Sequence, residues 1–146
     1  MAPDVVQFRV LAEGPRQIVV EINRTPLVDL VSAYEASCGY RPLGGYAGLI
    51  PEHFNFGELV DYFLGRDNGQ WPRPGRAWLL GCDCGELGCW PLEAMVHVSD
   101  DLVVWSGFRQ PHRPDRDYTG FGPYVFDREQ YQQAVSAAVA MLESSS

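Results

Sequence analysis

The chain has 146 residues, a net charge of −8 and, at its 11 basic positions, only arginine. The missing lysine excludes Schiff-base chemistry, a P-loop phosphate lysine and a Ser-Lys hydrolase, and the acidic balance disfavours a nucleic-acid backbone as partner. A domain of this length buries roughly 70% of its unfolded surface, so one core holds it without cross-links.

Met1-Ala2-Pro3-Asp4 has neither the basic segment nor the apolar run of a signal peptide. No apolar stretch is long enough to span a bilayer, so the expected setting is the cytoplasm, with reduced thiols and no membrane partner. The alternation of Val6, Phe8 and Val10, then of Ile18, Val20 and Ile22, around the turn Glu13-Gly14-Pro15-Arg16 predicts a β-hairpin. Thr25 offers an N-cap and Pro26 a first helical position for a helix with Leu27, Leu30, Val31 and Tyr34 on one face. Glycines and prolines from Ser37 to His53 read as loop. Asn55 and Glu58 have capping-box spacing for a second helix striped by Phe56, Leu59, Val60, Phe63 and Leu64 and ended by Gly65. Arg66 to Gly75, with Pro72 and Pro74, reads as irregular.

Next comes a meander, Arg76 to Cys82, Trp90 to Val98 and Leu102 to Arg109, closed by a wide turn at Asp83–Cys89 and a tight one at Ser99-Asp100-Asp101. Gln110 to Tyr124 reads as a long loop. Asp127 and Gln130 then open a helix striped by Tyr131, Ala134, Val135, Ala138 and Leu142, with Ser144–Ser146 as a frayed tail. The expectation is one α+β domain over residues 1–143: an antiparallel sheet of about five strands, made of the hairpin and the meander, with helices over one face. Trp71, Trp78, Trp90 and Trp105 read as core or near-core side chains.

Three of the four cysteines fall in Cys82-Asp83-Cys84-Gly85-Glu86-Leu87-Gly88-Cys89. Thiols this close suit a soft metal, a redox or nucleophilic centre, or small buried side chains in a Gly-rich turn. If Val98 and Leu102 close the tight turn, antiparallel partners sum to about 200, and Pro111 and His112 arrive beside Cys89 and Gly88. Cys82, Cys84, Cys89 and His112 thus form a candidate Cys3His zinc set. The single residue between Cys82 and Cys84 is shorter than the usual spacing in structural zinc sites.

The thiol alternative makes Cys84 or Cys89 the nucleophile and His112 its base. Asp83, Glu86 or Asp115 would orient the imidazole, and Arg109 and Arg113 would bind an oxyanion. Against it, Asp83 and Glu86 are expected to raise the pKa of nearby thiols. His53 and Cys38 receive no role. Arg109 at the mouth of the 110–124 loop and Arg113, Arg116 and Tyr118 inside it read either as internally paired charges or as a recognition surface for an unknown protein or small anion.

Gly81-Cys82-Asp83-Cys84-Gly85-Glu86-Leu87-Gly88-Cys89-Trp90-Pro91-Leu92, Phe108-Arg109-Gln110-Pro111-His112-Arg113 and Gly122-Pro123-Tyr124-Val125-Phe126-Asp127-Arg128 resemble the motifs of an uncharacterised bacterial protein family. The Asn23–Leu30 passage resembles it as well. The resemblance implies a folded bacterial domain and no particular activity. The leading expectation is a binding or interaction domain that uses the strand-end surface of the cysteine turn and the 110–124 loop. The alternative is a thiol-dependent or zinc-dependent enzyme.

Overall fold

Alternating apolar side chains build the expected hairpin in the computed structural model, which describes residues 3–53, 55–66 and 75–144. Strands β1 (Val6–Leu11) and β2 (Gln17–Ile22) pair antiparallel, and Val6, Phe8, Ile18, Val20 and Ile22 bury one face. Asn23 and Arg24 then take positive φ values of 53° and 71°, as a two-residue primed turn requires, and return the chain to β2 as β3 (Thr25–Pro26). Helix α1 (Leu27–Cys38) therefore begins one residue later than predicted. Thr25 is held in the ladder opposite Ile22, and Pro26 occupies the cap position with an extended ψ of 136°.

The meander strands appear as predicted within two residues, but they sit in a larger sheet ordered β4 (Tyr46–Ala47), β5 (Arg76–Cys82), β6 (Leu92–Val98), β7 (Leu102–Arg109) and β8 (Tyr124–Asp127). The single five-strand sheet is thus corrected to two antiparallel sheets of three and five strands. β4 lies in a stretch read as loop and β8 runs from the end of the 110–124 loop to the cap of the last helix, because two and four residues beside glycines and prolines show no period. Bridges from Asp4 to Phe126 and from Ile18 to Leu49 tie β8 to the start of β1 and β4 to β2, so the large sheet curls into a half-barrel.

Helix α2 (Leu59–Phe63) is shorter than predicted, and the capping box is not formed. The Asn55 side chain instead accepts the Gly57 N–H at 2.9 Å, closing a local turn before the helix. Its Tyr62 hydroxyl reaches into β5, donating to the Trp78 carbonyl and accepting the Trp78 N–H, both at 2.8 Å, where the β5–β6 register shifts. Helix α3 (Arg128–Ser144) opens as predicted with Asp127 accepting the Gln130 N–H at 3.0 Å. The Gln130 amide then turns to β1, accepting from Val6 N and donating to Val6 O. Tyr131, Val135 and Ala138 bury the face of α3 that packs on β1. Ser144 belongs to this helix. The rest of the predicted tail, Trp71, Pro72 and Pro74 lie outside the described residues. Trp78 and Trp105 are buried, and Trp90 packs half-buried against the core.

Glu35 on α1 is fully buried and holds the irregular segments in place. Its Oε1 accepts the Gly44 N–H at 2.8 Å, while Oε2 accepts the Tyr46 hydroxyl at 2.8 Å, the Tyr118 hydroxyl at 2.6 Å and the Arg116 guanidinium at 3.3 Å. Arg116 is itself only 4% exposed. Removing one partner of a buried pair strands the other charge, at a cost of about 3–5 kcal/mol. Glu35→Ala and Arg116→Ala are each expected to lose stability of about that size in urea unfolding. The double variant should lose less than the sum of the two, since neither charge is left alone.

Candidate metal centre

Two glycines shape the cysteine turn. A Cβ on Gly81 would meet Leu87 Cδ1 at 3.0 Å and Leu87 Cα at 3.3 Å, so only glycine lets the short 3-10 turn Leu87–Cys89 fold down on β5 with Leu87 buried. Gly85 turns the chain at φ 96°, its N–H bonded to Cys82 O at 3.1 Å. Cys89 N–H bonds to Glu86 O at 3.1 Å, and Asp83 N–H to Gly45 O at 2.9 Å, which anchors the turn beside β4.

The Sγ atoms of Cys82, Cys84 and Cys89 consequently lie within 4.8 Å of one another. Cys84 and Cys89 are exposed, Cys82 is half-buried, and all four cysteines are free thiols. Cys84 and Cys89 thus depart from the expectation of small buried side chains, while Cys82 comes nearer to it. Burial foremost pushes the Cys82 pKa up to about 11. Cys84 goes the other way: hydrogen bonds from the Cys82 thiol and then from the Glu86 backbone hold its pKa below the ordinary thiol value. The lowering at Cys84 comes from groups that bond the thiolate directly, and the upward effect expected of the Asp83 and Glu86 carboxylates is not among its leading causes.

His112 reaches the turn, as the register argument predicts. β6 and β7 pair Val98 with Val103 and, past a bulge, Glu93 with Arg109. The imidazole does not join the sulfurs. Its Nε2 bonds Gly88 O at 2.7 Å, and its ring stacks on Trp90 at 12° and 6.4 Å between centroids. The Gly88 carbonyl and the indole orient it, rather than Asp83, Glu86 or Asp115. His53, which sequence reasoning passed over, reaches a different carbonyl of the turn, with Nδ1 3.0 Å from Gly85 O. It lines a cleft of about 370 Å³ together with Cys84, Glu86, Leu87 and Gly88. Only the backbone path of the 37–53 segment brings it there, so no spacing in the sequence marks it.

The four residues read as a recognition surface divide. Arg116 and Tyr118 are committed to Glu35, and burial with the Glu35 contact pushes the Tyr118 phenol up to about 12. Arg109 forms an ion pair with the buried Glu93 at 3.1 Å, while its side chain remains 55% exposed. Arg113 lies over the Trp90 ring at 5.1 Å. Cys38, at the end of α1, is remote from the other thiols in the sequence and outside the sulfur cluster.

No protein-family model matches the chain, and no curated protein or solved structure matches it.

In reduced, metal-free protein, alkylation at pH 7 is expected to mark Cys84 well before Cys82. The thiolate is the nucleophile, so the rate rises with pH, first through the lowered pKa of Cys84 and only near pH 11 for Cys82. Peptide mapping after timed iodoacetamide labelling reads the order directly.

Proposed function

We propose that this is a metal-binding domain in which Cys82, Cys84 and Cys89 hold a soft divalent ion of the zinc class. The convergence of three sulfurs within 4.8 Å carries the reading. Zinc takes thiolates at about 2.3 Å in a tetrahedron, and three thiolates offset its charge. Bound there, the ion supplies a staple between the ends of β5 and β6. The protein's own residues prepare the position: Leu87 plugs the turn onto β5, and the Gly85 and Gly88 carbonyls are each gripped by an imidazole. A reducing cytoplasm suits such a site, because the thiols must be free to bind. No helix among the described residues is long and apolar enough to cross a membrane.

The domain then acts by binding at this strand end, with Arg113 and Trp90 as the adjoining surface for a protein or small anion. A thiol-dependent enzyme is the second reading, favoured by one observation: Cys84, the thiol with the lowered pKa, opens on the same cleft as His53.

Purified under reducing conditions and given zinc, the protein is expected to carry one ion per chain in native mass spectrometry. It should also gain thermal stability; a ligand at a thousandfold its Kd adds about 4 kcal/mol. Cys84→Ser and Cys89→Ser should each abolish both effects. A chain that takes up no zinc, and whose melting ignores chelator, would overturn the metal reading. Fast turnover of a thiol-reactive ester by metal-free protein, lost in Cys84→Ser, would favour the enzyme.

A further inference from the structure

We infer that His53, not His112, supplies the fourth ligand to the metal held by Cys82, Cys84 and Cys89. This rests on the metal-binding reading and closes the centre as a Cys3His site. A structural zinc ion takes four protein ligands, and two imidazoles flank the turn. Each is bonded to one of its carbonyls, Gly85 O for His53 and Gly88 O for His112. A carbonyl only accepts, so the bonded nitrogen carries the proton: Nδ1 in His53 and Nε2 in His112. The lone pair is therefore on Nε2 of His53 and on Nδ1 of His112. An N–H given to a backbone carbonyl, with the other nitrogen free to ligate, is the usual arrangement of a metal-binding histidine.

Position separates the two rings. His53 shares the wall of the large cleft with Cys84 and the wall of a small adjoining crevice with Cys82. Its Cε1 and Nδ1 lie 3.7 and 3.8 Å from where a Cβ on Gly85, the neighbour of Cys84, would stand. His112 instead lies parallel to Trp90, ring centroids 6.4 Å apart, with Arg113 over the same indole. Its guanidinium-flanked position is a poor one for gathering a second cation. The 4.8 Å group contains sulfurs only, so binding draws the His53 ring inward from its turn at Ile50–His53. Glu86 also lines the cleft, but a carboxylate would leave three thiolates and a divalent ion with a charge of −2, where a neutral imidazole leaves −1.

The test uses the full chain loaded with Co(II) under anaerobic reducing conditions, its ligand-field absorption read with and without added 2-mercaptoethanol. Wild type is expected to give a four-coordinate spectrum that the small thiol leaves unchanged, since no position is open. His53→Ala should bind cobalt at least about tenfold more weakly, and its spectrum should shift when thiol or free imidazole enters the vacated position. His112→Ala should keep the wild-type spectrum. Circular dichroism and thermal melts confirm that each variant folds. A wild-type spectrum that responds to thiol as His53→Ala does, or loss of the wild-type spectrum in folded His112→Ala alone, overturns the assignment of His53 while the three-cysteine centre stands. No cobalt binding by wild type overturns both.

Discussion

A single buried carboxylate organises the irregular half of this protein. Glu35 has no exposure to water, so its charge must be met by donors from within, and among the described residues Gly44, Tyr46, Arg116 and Tyr118, all outside its own helix, supply them. Gly44 and Tyr46 come from the segment before α2, and Arg116 and Tyr118 from the segment after β7. Two long glycine- and proline-rich stretches are thereby fixed against one another. From Tyr46 the bonding continues to the buried Gln110 at 3.2 Å and from Gln110 to the His112 N–H at 3.1 Å. Gly44 O meanwhile accepts the Trp90 indole N–H at 2.9 Å, and Gly45 O accepts Asp83 N–H. The cysteine turn is thus tied on two sides to a hub built around one acid.

A second buried acid does comparable work across the sheet. Glu93 on β6 receives Arg76 at 3.0 Å and Trp78 at 3.2 Å from β5, and Arg109 at 3.1 Å from β7. Three adjacent strands are joined through one carboxylate near the end that carries the cysteine turn. Arg109 and Arg116 therefore serve the fold first. Of the four residues predicted as a recognition surface, Arg113 is the one whose guanidinium makes no ion pair among the described residues, resting instead on Trp90 and the His112 carbonyl.

Much of the regular structure was legible because it follows period. The hairpin presents an alternation, α1 and α3 a 3.6-residue stripe, and the meander short apolar runs bounded by turn residues, β5 being buried on both faces; each forms with only its ends displaced. The misses have physical causes. Thr25 was taken by a strand pair before it could cap a helix, and Asn55 spent its side chain on Gly57. β4 and β8 are strands by virtue of their neighbours, not their own pattern. Tyr46, Arg116 and Tyr118 look like loop residues in sequence, and nothing local reveals that a carboxylate far along the chain collects them.

For the candidate centre the division is equally clear. The sequence by itself determined that three thiols share one turn, that glycines flank them, and that antiparallel register delivers His112 to the same end, since these follow from chain proximity and a fixed two-residue strand period. Only the tertiary structure decided how those groups are placed. Gly81 and Leu87 set the sulfurs within reach of one another, and the Gly88 carbonyl and Trp90 claim the His112 ring. The 37–53 segment, held by Glu35 and by the Ile18–Leu49 bridge, brings His53 to Gly85 from 32 residues away. Long-range hydrogen bonding to buried charge fixed those placements, and such bonds leave no periodic trace in a sequence.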